Sequence, residues 1–113
     1  MMPRSVRILS WNVNGIRAVY KKGFLDWLDR EQPDIICMQE TKASPDQLAE
    51  QLLSPVGYTS YWSSARRKGY SGVGVYSKSP ALNVEYGMGI EEFDEEGRFL
   101  RLDWEEFVLM NVY

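Results

Sequence analysis

The spacing of apolar positions predicts a β-α-β unit at the start of the chain. Residues 6–13 are rich in strand-forming side chains and end at Asn14-Gly15, which is a turn signal. Between residues 22 and 30 the apolar positions fall on one helical side, and Pro33-Asp34 ends that helix. Residues 35–39 form a continuous apolar run, which is typical of a buried parallel strand.

The rest of the chain predicts one more helix and then antiparallel strands. Ser44, Pro45 and Gln47 have the spacing of an N-cap, a first helical position and a capping box. A second helix should therefore begin here and end before Pro55. Strand patterns follow over residues 58–62, 72–76, 82–86, 99–104 and 107–113. The prediction is an α/β fold, a mixed sheet of about seven strands with two helices, in which the Glu105-Glu106 link marks a hairpin.

Composition places the chain among folded proteins. Its 113 residues are enough for one domain at most, and 44% of them are hydrophobic. The apolar runs are too short to cross a bilayer, and residues 1–7 carry charge with no apolar segment behind them, which argues against secretion. The single cysteine, Cys37, is interpreted as a small buried side chain. We therefore expect no membrane partner and a cytoplasmic location.

The charge is unevenly distributed along the chain, which changes the meaning of its net charge of −3. Residues 1–80 hold eleven Lys and Arg against seven Asp and Glu, a balance of +4. Residues 81–113 hold two against nine, a balance of −7. A face that binds phosphate groups should therefore come from the first part. Composition by itself nevertheless favours an ordinary surface with uneven charge.

Two polar residues follow the strands that we expect to be parallel neighbours. Asn12 lies at the end of the first strand, and Glu40 comes directly after the second. The carboxyl ends of such strands share one sheet edge, about 4.8 Å apart, where an amide oxygen and a carboxylate could hold one Mg²⁺. Two alternatives stay open. Lys42 or another cation would also balance the buried charge of Glu40, and Asn14-Gly15 is explained by turn chemistry.

Two basic segments could contact phosphate groups. Arg17, Lys21 and Lys22 follow the first turn, near an expected helix N-terminus. Residues 66–72 combine three cations with Tyr70, and a ring beside cations suits the backbone and sugars of a nucleic acid. Either segment could equally be a solvated surface loop.

Four segments carry a stronger signal when they are taken in their order along the chain. They are Ser10-Trp11-Asn12-Val13-Asn14-Gly15-Ile16-Arg17-Ala18, residues 33–42, Lys68-Gly69-Tyr70-Ser71-Gly72-Val73-Gly74 and Glu96-Gly97-Arg98. Together they resemble the exonuclease III and apurinic/apyrimidinic endonuclease family of DNA-repair nucleases, from about Val6 to Tyr113. The resemblance implies a four-layered α/β sandwich made of two sheets. Residues 1–113 would be the N-terminal half of that single endonuclease/exonuclease/phosphatase domain.

The resemblance also implies roles for particular residues. It assigns catalysis to Glu40, Asn12 and Tyr113. Of these, Glu40 and Asn12 would hold the metal ion. It assigns contacts with the DNA backbone and minor groove to Arg17, Lys22 and Tyr70. Lys42 should steady the metal-binding glutamate and contribute to DNA binding. Asn14 stands where some members carry aspartate, so it gains no metal role.

The function implied by the resemblance is cleavage of double-stranded DNA on the 5′ side of abasic sites, with 3′-5′ exonuclease or 3′-repair activity. The cofactor would be Mg²⁺, with Mn²⁺ as the alternative ion. The family's later Asp-x-Asn and Ser-Asp-His segments have no counterpart here, and the chain has no histidine. We therefore expect a piece of a longer polypeptide, shortened naturally or by design. On its own it should be inactive, because no general base is present.

Two other functions stay open at this point. Phosphoinositide phosphatases and sphingomyelinases share the Asn and Glu motifs, although not the Gly-Tyr-Ser-Gly-Val-Gly pattern. The second of these functions is that of a non-catalytic module. It would self-associate, or pair with a missing C-terminal half, through the sheet face that two helices leave uncovered.

Overall fold

The computed structural model describes residues 5–113. The prediction made from residues 1–7 therefore lies partly outside the described residues. No helix within the described range has the length and apolar character needed to cross a membrane.

The seven predicted strands are all present, and they divide between two sheets, as the four-layered sandwich implied. The first sheet has the order β1-β2-β4-β3, where β1 is Ile8–Asn12, β2 is Ile35–Gln39, β3 is Thr59–Ser63 and β4 is Val73–Ser77. Its β1 and β2 are parallel, and its other pairs are antiparallel. The second sheet is antiparallel throughout in the order β5-β6-β7, with bounds Asn83–Glu85, Phe99–Asp103 and Val108–Val112.

The helices agree with the predicted periodicity only in part. Helix α1 (Ile16–Lys21) and helix α2 (Phe24–Glu31) complete the crossover between the parallel strands. The capping box at Ser44 forms, but it opens only a 3₁₀ turn, Pro45–Gln47. The backbone is extended at Leu48, which packs on the core, and α3 is confined to Glu50–Leu53. Two short helices were not predicted: α1, which precedes the expected helix over residues 22–30, and α4 (Glu91–Asp94).

The core lies in two layers on either side of the first sheet. Alternate residues of β2 explain its continuous apolar run, because Ile36 and Met38 face the helices while Ile35 and Cys37 face the second sheet. Burial raises the pKa of Cys37 to about 11, which fits an inert thiol rather than a reactive one. The first sheet is thus packed on both faces, and this packing holds the carboxyl ends of β1 and β2 in place.

Candidate active site

The parallel register brings Asn12 and Glu40 to the same sheet edge. Asn12 is paired with Gln39, so that Glu40 is the next residue beyond the end of β2. The ladder continues past both strands, since the amide of Gly15 donates to the Glu40 carbonyl oxygen at 2.8 Å. The amide oxygen of Asn12 accepts a hydrogen bond from the Asn14 backbone N–H at 3.0 Å. The two oxygen-bearing side chains therefore leave neighbouring strand ends.

The backbone around Glu40 adopts a conformation that few residues tolerate. Glu40 and Lys42 have φ values of 58° and 57°, in the left-handed region that non-glycine residues seldom occupy. The segment is held there because the amides of Thr41 and Lys42 donate to Gly72 O and Ser71 O, at 3.0 and 2.8 Å. Such strain is concentrated at functional sites. It fits a segment shaped to present the Glu40 carboxylate.

Tyr113 reaches this edge from the other sheet. Its hydroxyl donates a 2.5 Å hydrogen bond to Glu40 Oε1. This bond, aided by desolvation, raises the pKa of Tyr113 above its ordinary value. The Glu40 side chain is only 22% exposed. A carboxylate and a phenol from two sheets are thus brought together at one half-buried point.

Lys42 lies on the other side of the carboxylate. Its ammonium nitrogen is 3.7 Å from Glu40 Oε2 and donates to Asn14 Oδ1 at 2.7 Å. Arg17 donates from Nη2 to the Lys42 carbonyl oxygen at 3.1 Å. These contacts therefore connect five residues that the sequence singled out, and Tyr113 joins them through Glu40. The five are Asn12, Asn14, Arg17, Glu40 and Lys42. The pairing of Glu40 with Lys42 that the sequence left open is present, and so is the turn around Asn14.

The donor atoms at this edge suit a hard cation. They are a carboxylate and an amide oxygen, from Glu40 and Asn12, and such oxygens are the ligands that Mg²⁺ takes from proteins. Within residues 5–113 no group of three or more His, Cys, Asp and Glu side chains is placed to enclose a metal. Mg²⁺ keeps several of its waters and needs few protein ligands, so two oxygens beside a substrate phosphate fit its chemistry.

Tyr70 is placed in a second polar group beside Tyr113. Its hydroxyl donates to Glu96 Oε1 and accepts from Arg98 Nη2, each at 2.8 Å. The guanidinium of Arg67 lies 5.3 Å from the centre of the Tyr70 ring. The basic loop is therefore joined to the candidate site through Arg98, whereas its Arg66 pairs with Glu95 at 2.7 Å.

Lys22 is the one candidate that the structure does not connect to the others. It is the C-cap residue that follows α1, and it lies in a groove that Trp11 and Trp27 also line. Among the described residues its side chain forms no hydrogen bond or ion pair with the other candidates.

Sequence reasoning missed two residues that the site depends on. Arg98 was read only as part of a motif, although it touches both Tyr70 and Tyr113. Asn111 was read as an ordinary strand residue, although it is 3% exposed and donates to Met38 O and Gly74 O of the first sheet. A polar side chain at an inward position of β7 was the available signal for Asn111.

Comparison with known proteins gives a consistent result. The model of the Endonuclease/Exonuclease/phosphatase family matches residues 9–113. An exodeoxyribonuclease of Bacillus subtilis is 49% identical over 109 residues, which are 96% of this chain and 42% of the relative. An AP endonuclease structure from Archaeoglobus fulgidus superposes with a TM-score of 0.82 at 32% identity, covering 96% of this chain and 41% of that one.

A third similar protein carries a nucleic acid. It is a 3′ phosphatase from Neisseria bound to a product DNA hairpin, with a TM-score of 0.82 and 28% identity. Again 96% of this chain and 41% of that chain are covered. The chain thus spans about two fifths of the length of these proteins.

Proposed function

Since this chain belongs to the endonuclease/exonuclease/phosphatase family, we propose that it forms part of a DNA-repair phosphodiesterase. The proposed reaction is metal-dependent cleavage of double-stranded DNA on the 5′ side of abasic sites, with further activity at 3′ ends. The resemblance carried by the four motifs is confirmed at the level of the family. The substrate, the metal and the roles of the residues are the proposal.

The observation that carries it is the meeting of Glu40 and Tyr113 beside Asn12. Hydrolysis of a phosphodiester needs charge stabilisation at the phosphoryl oxygens and a positioned nucleophile. Glu40 and Asn12 supply oxygen ligands, and the Tyr113 hydroxyl is a hydrogen-bond donor at the same point. A bound Mg²⁺ would supply Lewis-acid stabilisation of a phosphate oxygen. Relatives named as an exodeoxyribonuclease and an AP endonuclease support DNA as the substrate.

The remaining candidates have a role in holding the duplex. Lys42 keeps a positive charge next to Glu40, where it balances the carboxylate and attracts a phosphate. Arg17, Lys22 and Tyr70 would contact the DNA backbone and minor groove, which fixes the register of a duplex without reading its sequence. We propose that the 113 residues do not cleave DNA alone, since they contain no histidine and offer no convincing general base.

The sharpest test is a chimera with a longer relative. The segment of the B. subtilis exodeoxyribonuclease that this chain matches is replaced by residues 1–113, and cleavage of an abasic duplex is measured with and without Mg²⁺. We expect cleavage by the chimera only with metal, and none by the 113-residue chain. Glu40→Gln should lower kcat at least a hundredfold, as loss of a strong electrostatic contribution does, whereas Glu50→Gln should change nothing.

Two results would contradict the proposal. One is a chimera that folds but leaves abasic DNA intact while it releases phosphate from inositol phosphates, which would favour the phosphatase alternative. The other is full cleavage activity in the Glu40→Gln chimera, which would show that the carboxylate holds no essential metal.

A further inference from the structure

Arg98 occupies the position where the second sheet meets the candidate site. It directly precedes β6, and its carbonyl oxygen accepts the backbone N–H of Tyr113 at 2.9 Å. The two residues therefore face each other at one end of the β6-β7 hairpin. Gly97, directly before Arg98, has a φ of 61°, in the left-handed region that glycine tolerates.

The side chain of Arg98 lies between two tyrosine rings. Its guanidinium carbon is 5.2 Å from the ring centre of Tyr113 and 5.6 Å from that of Tyr70. Nη1 donates to the Tyr113 carbonyl oxygen at 3.3 Å, and Nη2 donates to the Tyr70 hydroxyl at 2.8 Å. A planar guanidinium can stack on rings and donate in its own plane at once, which an ammonium cannot do.

Arg98 is itself held in place from the side of the basic loop. The Tyr70 hydroxyl, which accepts from Arg98, donates a hydrogen bond to Glu96 Oε1 at 2.8 Å. Glu96 also lies 3.4 Å from Arg98 Nη2. Each of these contacts is partly exposed and weak alone, but together they fix one orientation of the guanidinium.

Tyr113 has little else to hold it. Within residues 5–113, its side chain has two polar or ring contacts, the hydroxyl bond to Glu40 and the stacking on Arg98. The residue is 39% exposed. Without Arg98 the hydroxyl bond would be the one polar or ring contact left to this side chain among the described residues, and a ring held at one polar point can turn away from the carboxylate.

We propose that Arg98 is a positioning residue, which sets the Tyr113 hydroxyl against Glu40 and couples it to Tyr70. The catalytic meaning of this proposal rests on the proposed function, in which Tyr113 acts on the phosphate. The coupling itself is a property of the folded chain. Contact of DNA with Tyr70 would then be transmitted to Tyr113 through the shared guanidinium.

The first experiment measures the coupling without any reaction. The chain is labelled with ¹³Cζ-tyrosine, and the Tyr113 resonance is assigned by its loss in Tyr113→Phe. We expect this resonance to shift in Arg98→Lys and, by less, in Tyr70→Phe, which removes only the hydroxyl. Arg101→Lys is the matched control, because Arg101 stands on β6, which Arg98 directly precedes, and pairs with Asp103 at 2.9 Å rather than with either ring.

The second experiment measures the consequence for turnover in the chimera described above. Arg98→Lys should lower kcat about fivefold, the change expected from losing about 1 kcal/mol of cation-π contact. KM should change by less, and Arg101→Lys should leave both constants unchanged. In Tyr70→Phe the effect of Arg98→Lys should shrink, because the two residues act together.

An unmoved Tyr113 resonance in Arg98→Lys would overturn the coupling, and so would equal shifts in the Arg98 and Arg101 variants. A shift accompanied by an unchanged kcat would overturn the positioning role. If the parent chimera cleaves no DNA, the proposed function fails instead, and the resonance alone then decides whether Arg98 sets Tyr113.

Discussion

At the scale of single residues, the site is shaped by backbone conformations that ordinary side chains avoid. Ser71 and Gly72 both have left-handed φ values, of 51° and 91°, and their carbonyl oxygens hold the segment that presents Glu40. Gly72 also lacks a Cβ where one would overlap the Thr41 hydroxyl. Thr41 is 1% exposed, and its hydroxyl has no protein partner within the described residues. The absence of a side chain at Gly72 is therefore a condition for this turn.

Gly72→Ala should destabilise the protein by about 2–4 kcal/mol, since it adds a steric overlap to backbone strain worth about 1–3 kcal/mol. Gly69→Ala is the matched control. Its φ is also positive, at 71°, but nothing lies within 4 Å of the added Cβ. Urea unfolding followed by tryptophan fluorescence measures both. Equal losses in the two variants would mean that the overlap with Thr41 contributes nothing.

Lys42→Met tests the balance of charge beside Glu40. Removing the ammonium leaves a half-buried carboxylate that keeps, within residues 5–113, only the Tyr113 hydroxyl as a side-chain donor. We expect weaker DNA binding at low salt and a salt dependence reduced by about one phosphate contact, as measured by fluorescence anisotropy. Lys78→Met is the control, because Lys78 bonds the Gln32 carbonyl oxygen at the opposite end of the sheet. An equal effect of both substitutions would indicate only a loss of net charge.

The residue scale also shows what the sequence could not supply. Asn12 and Glu40 were found because each ends a strand whose pairing follows from the β-α-β pattern. Arg98 acts through its distance to two rings that lie 28 and 15 residues away along the chain. The contact with Tyr113 follows from the register of the β6-β7 hairpin, whereas the contact with Tyr70 depends on how the two sheets are docked. No local pattern contains this information.

At the scale of elements, the two sheets are joined by one buried amide. Asn111 of β7 donates to the carbonyl oxygens of Met38 and Gly74 and accepts from Gln39 Nε2 at 2.9 Å. Those two oxygens belong to adjacent strands of the first sheet, β2 and β4. Asn111 stands two residues before Tyr113. Its hydrogen bonds to the first sheet therefore fix the position of the end of β7, from which the tyrosine reaches Glu40.

Asn111→Ala should cost about 2–4 kcal/mol of stability, because buried polar groups lose their partner and each such loss costs about 1–3 kcal/mol. Asn83→Ala, at an exposed amide of β5, should change stability by less than about 0.5 kcal/mol. Thermal unfolding measures both. A neutral Asn111→Ala would show that the inter-sheet hydrogen bonds are replaced by water at no cost.

The helices and strands could be predicted from the sequence where the interactions that form them join residues close together along the chain. The β6-β7 hairpin and the parallel β1-β2 pair follow from short links and a crossover helix. The helix expected after Ser44 stops early, because burial of Leu48 in the core outweighs the helix start that the capping box provides. Helix α4 is too short for apolar periodicity to indicate it.

At the scale of the whole molecule, the second sheet is covered on one face only. Its inner face packs on the first sheet through Leu100 and Leu102, which are fully buried. On β7, Val108, Met110 and Val112 alternate with the inward-facing Leu109 and Asn111, and they are 48%, 61% and 62% exposed. The sequence led us to expect that two helices would leave part of the sheet surface uncovered, and this exposed outer face fits that expectation.

The stability of the whole molecule should fall in alkaline solution. Burial raises the pKa of Tyr58 to about 12, and it also raises that of Tyr76. A raised pKa means that the folded state holds the proton more tightly, so stability is complete below about pH 10, the ordinary tyrosine value, and is lost as the pH rises toward the folded value. Unfolding in urea at pH 8 to 11.5 should show this loss. Tyr76→Phe should reduce its slope, whereas the exposed Tyr86→Phe should not.

The hydrogen bond between Tyr113 and Glu40 joins residues 73 positions apart in the chain. Closing a contact of such separation carries a cost in chain entropy, which the docking of the two sheets around it offsets. The bond between Tyr113 and Glu40 therefore reports on the docking of the two sheets: it would be lost when they separate, even if the strands within each sheet stayed paired.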